Sequence, residues 1–164
     1  MDVYKQFSQI AKEKAAKPAF IFKEEVITFA QALEKVNQIG HALERLGLKQ
    51  GEKLAIWLPN CPEYIMAYLA AFGLGATVIP IDIMATKDEA IKIINHAKAS
   101  ILITDNETAK IKKETPSIKH IMSNLEKLTI DDKTELRGIG NEEDVALIIY
   151  TSGTTGQQKG VMLT

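Results

Sequence analysis

Three apolar runs of strand length, EKLAIWLP, GATVIPI and ASILITD, lie between Glu52 and Asp105 with a helical pattern between each pair. Strands this apolar throughout are buried on both faces, as in parallel sheets. Strand–helix–strand order of this kind selects right-handed crossovers, and hence an α/β domain with a largely parallel sheet and flanking helices. The longest apolar stretch, YIMAYLAAFGLGATVIPI, has the length of a membrane span but contains Gly73, Gly75 and Pro80. It divides into a helix, a glycine stop and a strand, and is read as buried soluble structure.

Helix boundaries are written locally. Thr28 with Gln31, and Thr86 with Glu89, match capping boxes, in which each side chain satisfies a free N–H of the other. After the first box, Phe29, Leu33, Val36, Ile39, Leu43 and Leu46 recur as one stripe, and Gly47 supplies a left-handed stop. Asn60 is the expected N-cap of the next helix, with Pro62 in its first turn. Nearer the amino terminus, Asp2 is expected to cap a helix reaching about Ala16, with Val3, Phe7 and Ile10 on one face. PAFIFKEEVITF then reads as a hairpin. The chain divides into an α/β core over 1–105, a Lys- and Glu-rich surface excursion over 106–144, and a strand with a terminal loop over 145–164. Within the excursion KHIMS is a short strand candidate and SNLEKLT a helical turn.

Composition bounds the function. The 164 residues are 46% hydrophobic with a net charge of −1, which excludes a long-range field for nucleic acid or anionic membrane. The Lys-rich KIKKETPSIKH stretch is therefore read as a solvated face. One cysteine, Cys61, excludes an internal disulfide framework and a Cys-based zinc site, and favours a reducing, cytoplasmic setting. The amino terminus carries no secretory pattern. His41, His96 and His120 have no ligand spacing and are assigned structural roles, Trp57 is assigned to the core, and no metal site is expected.

The strand DVALIIY delivers the chain into YTSGTTGQQKGVMLT. Glycines let successive N–H groups converge on an anion, hydroxyls add donors, and Lys159 adds a point charge. The order Lys159-Gly160-Val161 departs from the Gly-Lys-Ser/Thr of a P-loop NTPase, and the loop leads into an apolar run rather than a helix. The residues by themselves point to an anion loop, with a solvated hairpin as the alternative.

Tyr-Thr-Ser-Gly-Thr-Thr-Gly-x-x-Lys-Gly resembles the phosphate-binding signature of the adenylate-forming superfamily, which comprises acyl-CoA synthetases, peptide-synthetase adenylation domains and luciferases. The segment ITFAQALEKVNQIGHALERLGLKQGEKLAIWLPNCPEYIMAYLAAFGLGATVIPID is similar to that family's amino-terminal run. The resemblance implies that Thr151, Ser152, Gly153, Thr154, Thr155, Gly156 and Lys159 hold the β- and γ-phosphates of ATP, with Mg²⁺ accompanying the nucleotide. A carboxylate would attack the α-phosphorus, and the thiol of CoA would take the acyl group. The implied protein is a fatty acid–CoA ligase. The alternatives are a peptide-synthetase adenylation domain, suggested by Asp82 after VIPI, or a stand-alone α/β binding module without the reaction. The resemblance also implies an amino-terminal fragment, inactive alone, with its catalytic residues beyond Thr164 and its oligomeric state open. Three positions depart from the family pattern: Gln158 where Pro is usual, Glu52 where Asp is usual, and Phe29 where Tyr is usual. DIMATKDEA replaces a common Asn-Pro or Asp-Pro step.

Overall fold

The computed structural model describes residues 3–106, 108–122, 130–141, 143–152 and 158–164. Its centre is a six-stranded sheet built from β3 (Lys53–Trp57), β4 (Thr77–Pro80), β5 (Ile101–Thr104), β6 (His120–Met122), β7 (Leu147–Ser152) and β8 (Gln158–Leu163), with β1 (Pro18–Phe22) and β2 (Glu25–Thr28) forming a separate antiparallel pair. The order is β6-β5-β3-β4-β7-β8, parallel throughout except for β8 at the edge. Alternation along β3 shows why its sequence is apolar without a break. Leu54 and Ile56 enter one core cluster and Ala55 and Trp57 the other, all of them buried.

Handedness assigns the helices to faces. The step from β3 to β4 runs one way across the sheet, and the step from β4 to β5 runs back over β3. Right-handed crossovers in opposite directions must use opposite faces. Accordingly α3 (Pro62–Gly73) packs on one face beside α1 (Val3–Glu13) and α2 (Phe29–Arg45), and α4 (Lys87–Ala97) with α5 (Ala109–Glu114) covers the other.

Both capping boxes form as expected: Thr28 Oγ1 accepts from the Gln31 N–H, and Thr86 Oγ1 from the Glu89 N–H. Thr86→Ala should lower stability by about 1 kcal/mol in a urea melt, with an unchanged denaturant slope. Schellman closures end α2 and α3. Leu48 N–H reaches Leu43 O and Ala76 N–H reaches Ala71 O, around Gly47 (φ 90) and Gly75 (φ 65). The same closure on α4 places Lys98 at φ 57. Lysine has a Cβ that disfavours this conformation, so Lys98→Gly should raise stability by about 0.5–1 kcal/mol in the same melt.

Two helix readings need correction. The N-cap of α3 is Cys61, not Asn60, and it makes no side-chain cap bond; with Pro62 fixed as the first helical residue, the cap position falls one residue later. The buried face of α1 is Tyr4, Ser8 and Ala11, whereas Val3 and Ile10 are exposed and Phe7 is partly covered. That helix ends at Glu13, and the expected cap Asp2 lies outside the described residues.

The cause of the α1 rotation is the segment 130–141, which lies across α1, α2 and α3. Its Leu136 is 5% exposed and sits where α2 and α3 present glycines; a Cβ built on Gly73 would lie 2.7 Å from Leu136 Cδ1, and one on Gly40 would also collide with that side chain. The Tyr4 hydroxyl accepts the Leu136 N–H at 2.9 Å and donates to Asn37 Oδ1 at 2.8 Å. Ser8 and Lys12 both donate to Glu135. The excursion is thus superficial only in part, since α5 also contributes the fully buried Ile111. KHIMS forms β6 beside β5 up to Met122, and SNLEKLT falls outside the described residues.

Hydrogen bonds from Lys12, then Ser8, hold the Glu135 carboxyl below the usual carboxylate range. A depressed folded-state pKa contributes stability above the unfolded value of about 4.3 and loses it as pH falls through the folded value. Stability should therefore decline in acid below about pH 4.3, less steeply in Glu135→Gln than in the parent, as read from melting temperature against pH.

Candidate anion-binding site

At the carboxyl edge of the parallel strands, where open α/β sheets bind their ligands, β7 delivers Tyr150, Thr151 and Ser152. β8 returns antiparallel, with Tyr150 opposite Gly160, Thr151 opposite Lys159, and Ser152 opposite Gln158 as the last pair. The ladder brings the two ends of the Gly/Thr motif together and sets Thr151 and Lys159 on one face of the ribbon. Both are exposed. Gly153, Thr154, Thr155 and Gly156 lie outside the described residues. The departure from a P-loop is also present in the backbone, because the chain leaves the loop as a strand.

Packing beneath the motif explains Gly160. A Cβ there would come within 2.9 Å of Ile148 Cγ2 and 3.3 Å of Tyr150 Cζ, so the bare backbone lets the Tyr150 ring lie over it. The ring meets His96 of α4 edge-on, with centroids 5.6 Å apart and the phenol oxygen 2.6 Å from Nδ1. Partial burial raises the Tyr150 phenol above its ordinary value, which keeps it protonated at neutral pH and able to donate to the imidazole. This contact joins residues 54 apart and had no signal in the sequence.

The other turns at this edge are structural. Asp82 Oδ1 accepts the Met84 N–H and its carbonyl accepts the Trp57 indole N–H at 2.9 Å. DIMATKDEA is thereby an Asp-anchored turn followed by the Thr86 capping box, which accounts for the residues present there. Trp57 is buried as expected. His41 bonds to Thr134 O, and burial raises the Cys61 thiol, which keeps it in the unreactive form.

A family model described as AMP-binding enzyme matches residues 7–164. The chain belongs to the AMP-binding enzyme family. Among curated relatives of this AMP-binding chain, bacitracin synthase 3 of Bacillus licheniformis is 28% identical over 161 residues, covering 96% of the chain and 2% of that protein. The crotonobetaine/carnitine–CoA ligase of Salmonella typhimurium is 29% identical over 157 residues, covering 84% of the chain and 30% of the ligase. The chain therefore spans under a third of either relative. An inhibitor-bound N-terminal domain of FACL13 from Mycobacterium tuberculosis has the same fold, with a TM-score of 0.87 at 22% identity over 99% of this chain and 44% of that one. Peptide synthetases and CoA ligases both match, so the level established for this AMP-binding chain is that of the adenylate-forming ligases. Among the described residues, no helix is long and apolar enough to cross a membrane.

Proposed function

We propose that this chain supplies the pyrophosphate side of the nucleotide site in an ATP-dependent carboxylic acid–CoA ligase acting on fatty acids. The observation that carries the reading is the facing of Thr151 and Lys159 at the mouth of a Gly/Ser/Thr loop, on the carboxyl edge of the sheet, in an AMP-binding family member. The donor set fits ATP: Thr151, Ser152, Gly153, Thr154, Thr155, Gly156 and Lys159 combine hydroxyls, main-chain N–H groups and one ammonium, and would hold the β- and γ-phosphates. No carboxylate lies between Tyr150 and Thr164, so Mg²⁺ would arrive on the nucleotide rather than on this loop. CoA would be the thiol substrate of the whole ligase, and a cytoplasmic setting suits the lone Cys61 thiol.

Amino-acid adenylation in a peptide synthetase is the second reading, supported by the bacitracin synthase similarity and by Asp82 after the β4 strand. Pyrophosphate exchange separates the readings in an enzyme that carries this chain as its amino-terminal part. Exchange with fatty acids and not amino acids supports the first, and the converse supports the second. The 164-residue chain alone should show none. Exchange by it alone would overturn the view that further segments complete the site, and an inactive longer enzyme would favour a binding module.

A further inference from the structure

Among the described residues, hydrogen bonds tie the ribbon that carries the motif to the rest of the molecule at two separated points, with Ile148 buried in the core between them. Its inner end is tied to the sheet. β7 pairs with β4 only at Leu147 and Val78, the Val78 N–H reaches Ala146 O at 2.9 Å, and Thr77 Oγ1 donates to Val145 O at 2.7 Å. Beyond Leu147 the two strands continue as a ribbon paired to each other, from Ile148 with Met162 out to Ser152 with Gln158. Along that outer part Ile149, Val161 and Met162 are 39%, 50% and 66% exposed. Two-stranded ribbons without further strands beside them hold their twist weakly.

The second point is Tyr150. Among the described residues, its hydroxyl makes the one side-chain hydrogen bond that links the outer ribbon to another element, and the partner is His96 on the last turn of α4. Tyr150 stands just before Thr151 and Ser152, and its ring spans to Gly160, the neighbour of Lys159. One aromatic side chain thus touches both strands next to the residues that would hold phosphate.

We infer that His96 is a positioning residue for the anion loop: by accepting the Tyr150 hydroxyl at Nδ1 and packing edge-on against its ring, it fixes the ribbon angle from which Thr151 and Lys159 face the ligand. A protonated phenol donating to Nδ1 leaves Nε2 to carry the imidazole proton in the neutral ring. α4 is a rigid anchor for this purpose, since its opposite face (Ala90, Ile94 and Ala97) is buried in the core and both ends are closed. His96 touches no ligand in this scheme and acts through Tyr150. The inference rests on the phosphate-loop reading.

The test uses an enzyme carrying this chain and measures pyrophosphate exchange at varied ATP and varied acid, with melting temperatures alongside. His96→Ala and Tyr150→Phe should each raise KM for ATP about three- to tenfold, with kcat and KM for the acid within about twofold and the melting temperature within about 2 °C. Because both act through one contact, the double variant should be no worse than the more damaging single variant. In the 164-residue chain, nitrogen NMR should show His96 Nδ1 as an acceptor in the neutral ring, and Tyr150→Phe should shift that resonance. Unchanged KM for ATP in both single variants, or losses that multiply in the double variant, would overturn the positioning role. A parallel loss of kcat, both KM values and melting temperature would do the same, as it marks a merely structural residue. Lys159→Ala in the same assay isolates the underlying reading: if it leaves KM for ATP and kcat unchanged, the phosphate role itself fails, whatever His96 does.

Discussion

Lys159→Ala should slow acyl-adenylate formation about 100-fold, equivalent to roughly 2.7 kcal/mol of transition-state stabilisation, in an enzyme that carries this chain. Lys159 pairs with Thr151 across the ladder at the loop mouth, and in the proposed phosphate role its ammonium would meet the charge that develops on the departing pyrophosphate. Thioester formation from supplied acyl-adenylate generates no pyrophosphate, so the same variant should lose less than about threefold in that half-reaction. The comparison is internal, because both rates come from one preparation. Equal losses in the two halves would assign Lys159 to general folding or to the acyl site. Lys159→Arg keeps the charge but replaces a compact point donor by a planar fork, and an intermediate loss is expected.

Leu136→Ala should destabilise the chain by about 3 kcal/mol, near the middle of the range for buried leucines. Burial of an isolated leucine in a polar segment would ordinarily predict less. Here the side chain fills a notch whose two walls are glycines, Gly40 of α2 and Gly73 of α3, and backbone cannot move in to close the hole as side chains do. The notch supplies its own control. Gly40→Ala in the parent pushes against Leu136 and should destabilise, despite the gain of about 1 kcal/mol in helix propensity. In the Leu136→Ala background the added methyl enters vacated space, and the same change should stabilise. A change of sign between backgrounds, read from urea midpoints at constant slope, is the expected result; additive losses would show that the segment does not seat against the glycines.

What was legible in the sequence divides along the distance over which each feature acts. The capping boxes at Thr28 and Thr86 need only a residue three positions away, and both formed as read. β3, β4 and β5 were visible because burial on both faces leaves runs such as LAIW and ILIT without polar interruption. The N-cap of α3 was misplaced although its signal was local, since Pro62 as first helical residue already points to Cys61. The α1 face was misread for a different reason. Tyr4 and Ser8 are buried by partners 132 and 127 positions away, and a side chain that buries a hydroxyl does not score as apolar. Leu136 within DDKTELRGIG likewise carries no periodicity, and only the bare backbone at Gly40 and Gly73 gives it a place. At the site, the run VMLT was read as apolar and not helical, and most of it lies in β8, whereas the His96–Tyr150 contact depended on how α4 crosses the sheet.

The Leu136 seat also has a bearing on how the chain acquires its fold during synthesis. Leu136 lies 99 residues after Asn37 and 132 after Tyr4, the two side chains that receive its N–H. At about 5–20 residues per second, translation leaves roughly 5–20 s between the emergence of α2 and that of its cover. From the emergence of α3, which carries the Gly73 wall, until Leu136 follows, the notch is open to water, and the Asn37 amide lacks its Lys133 partner. The three-helix layer is therefore completed last by a segment that arrives late, and a nascent chain halted before residue 136 would display this apolar notch to chaperones.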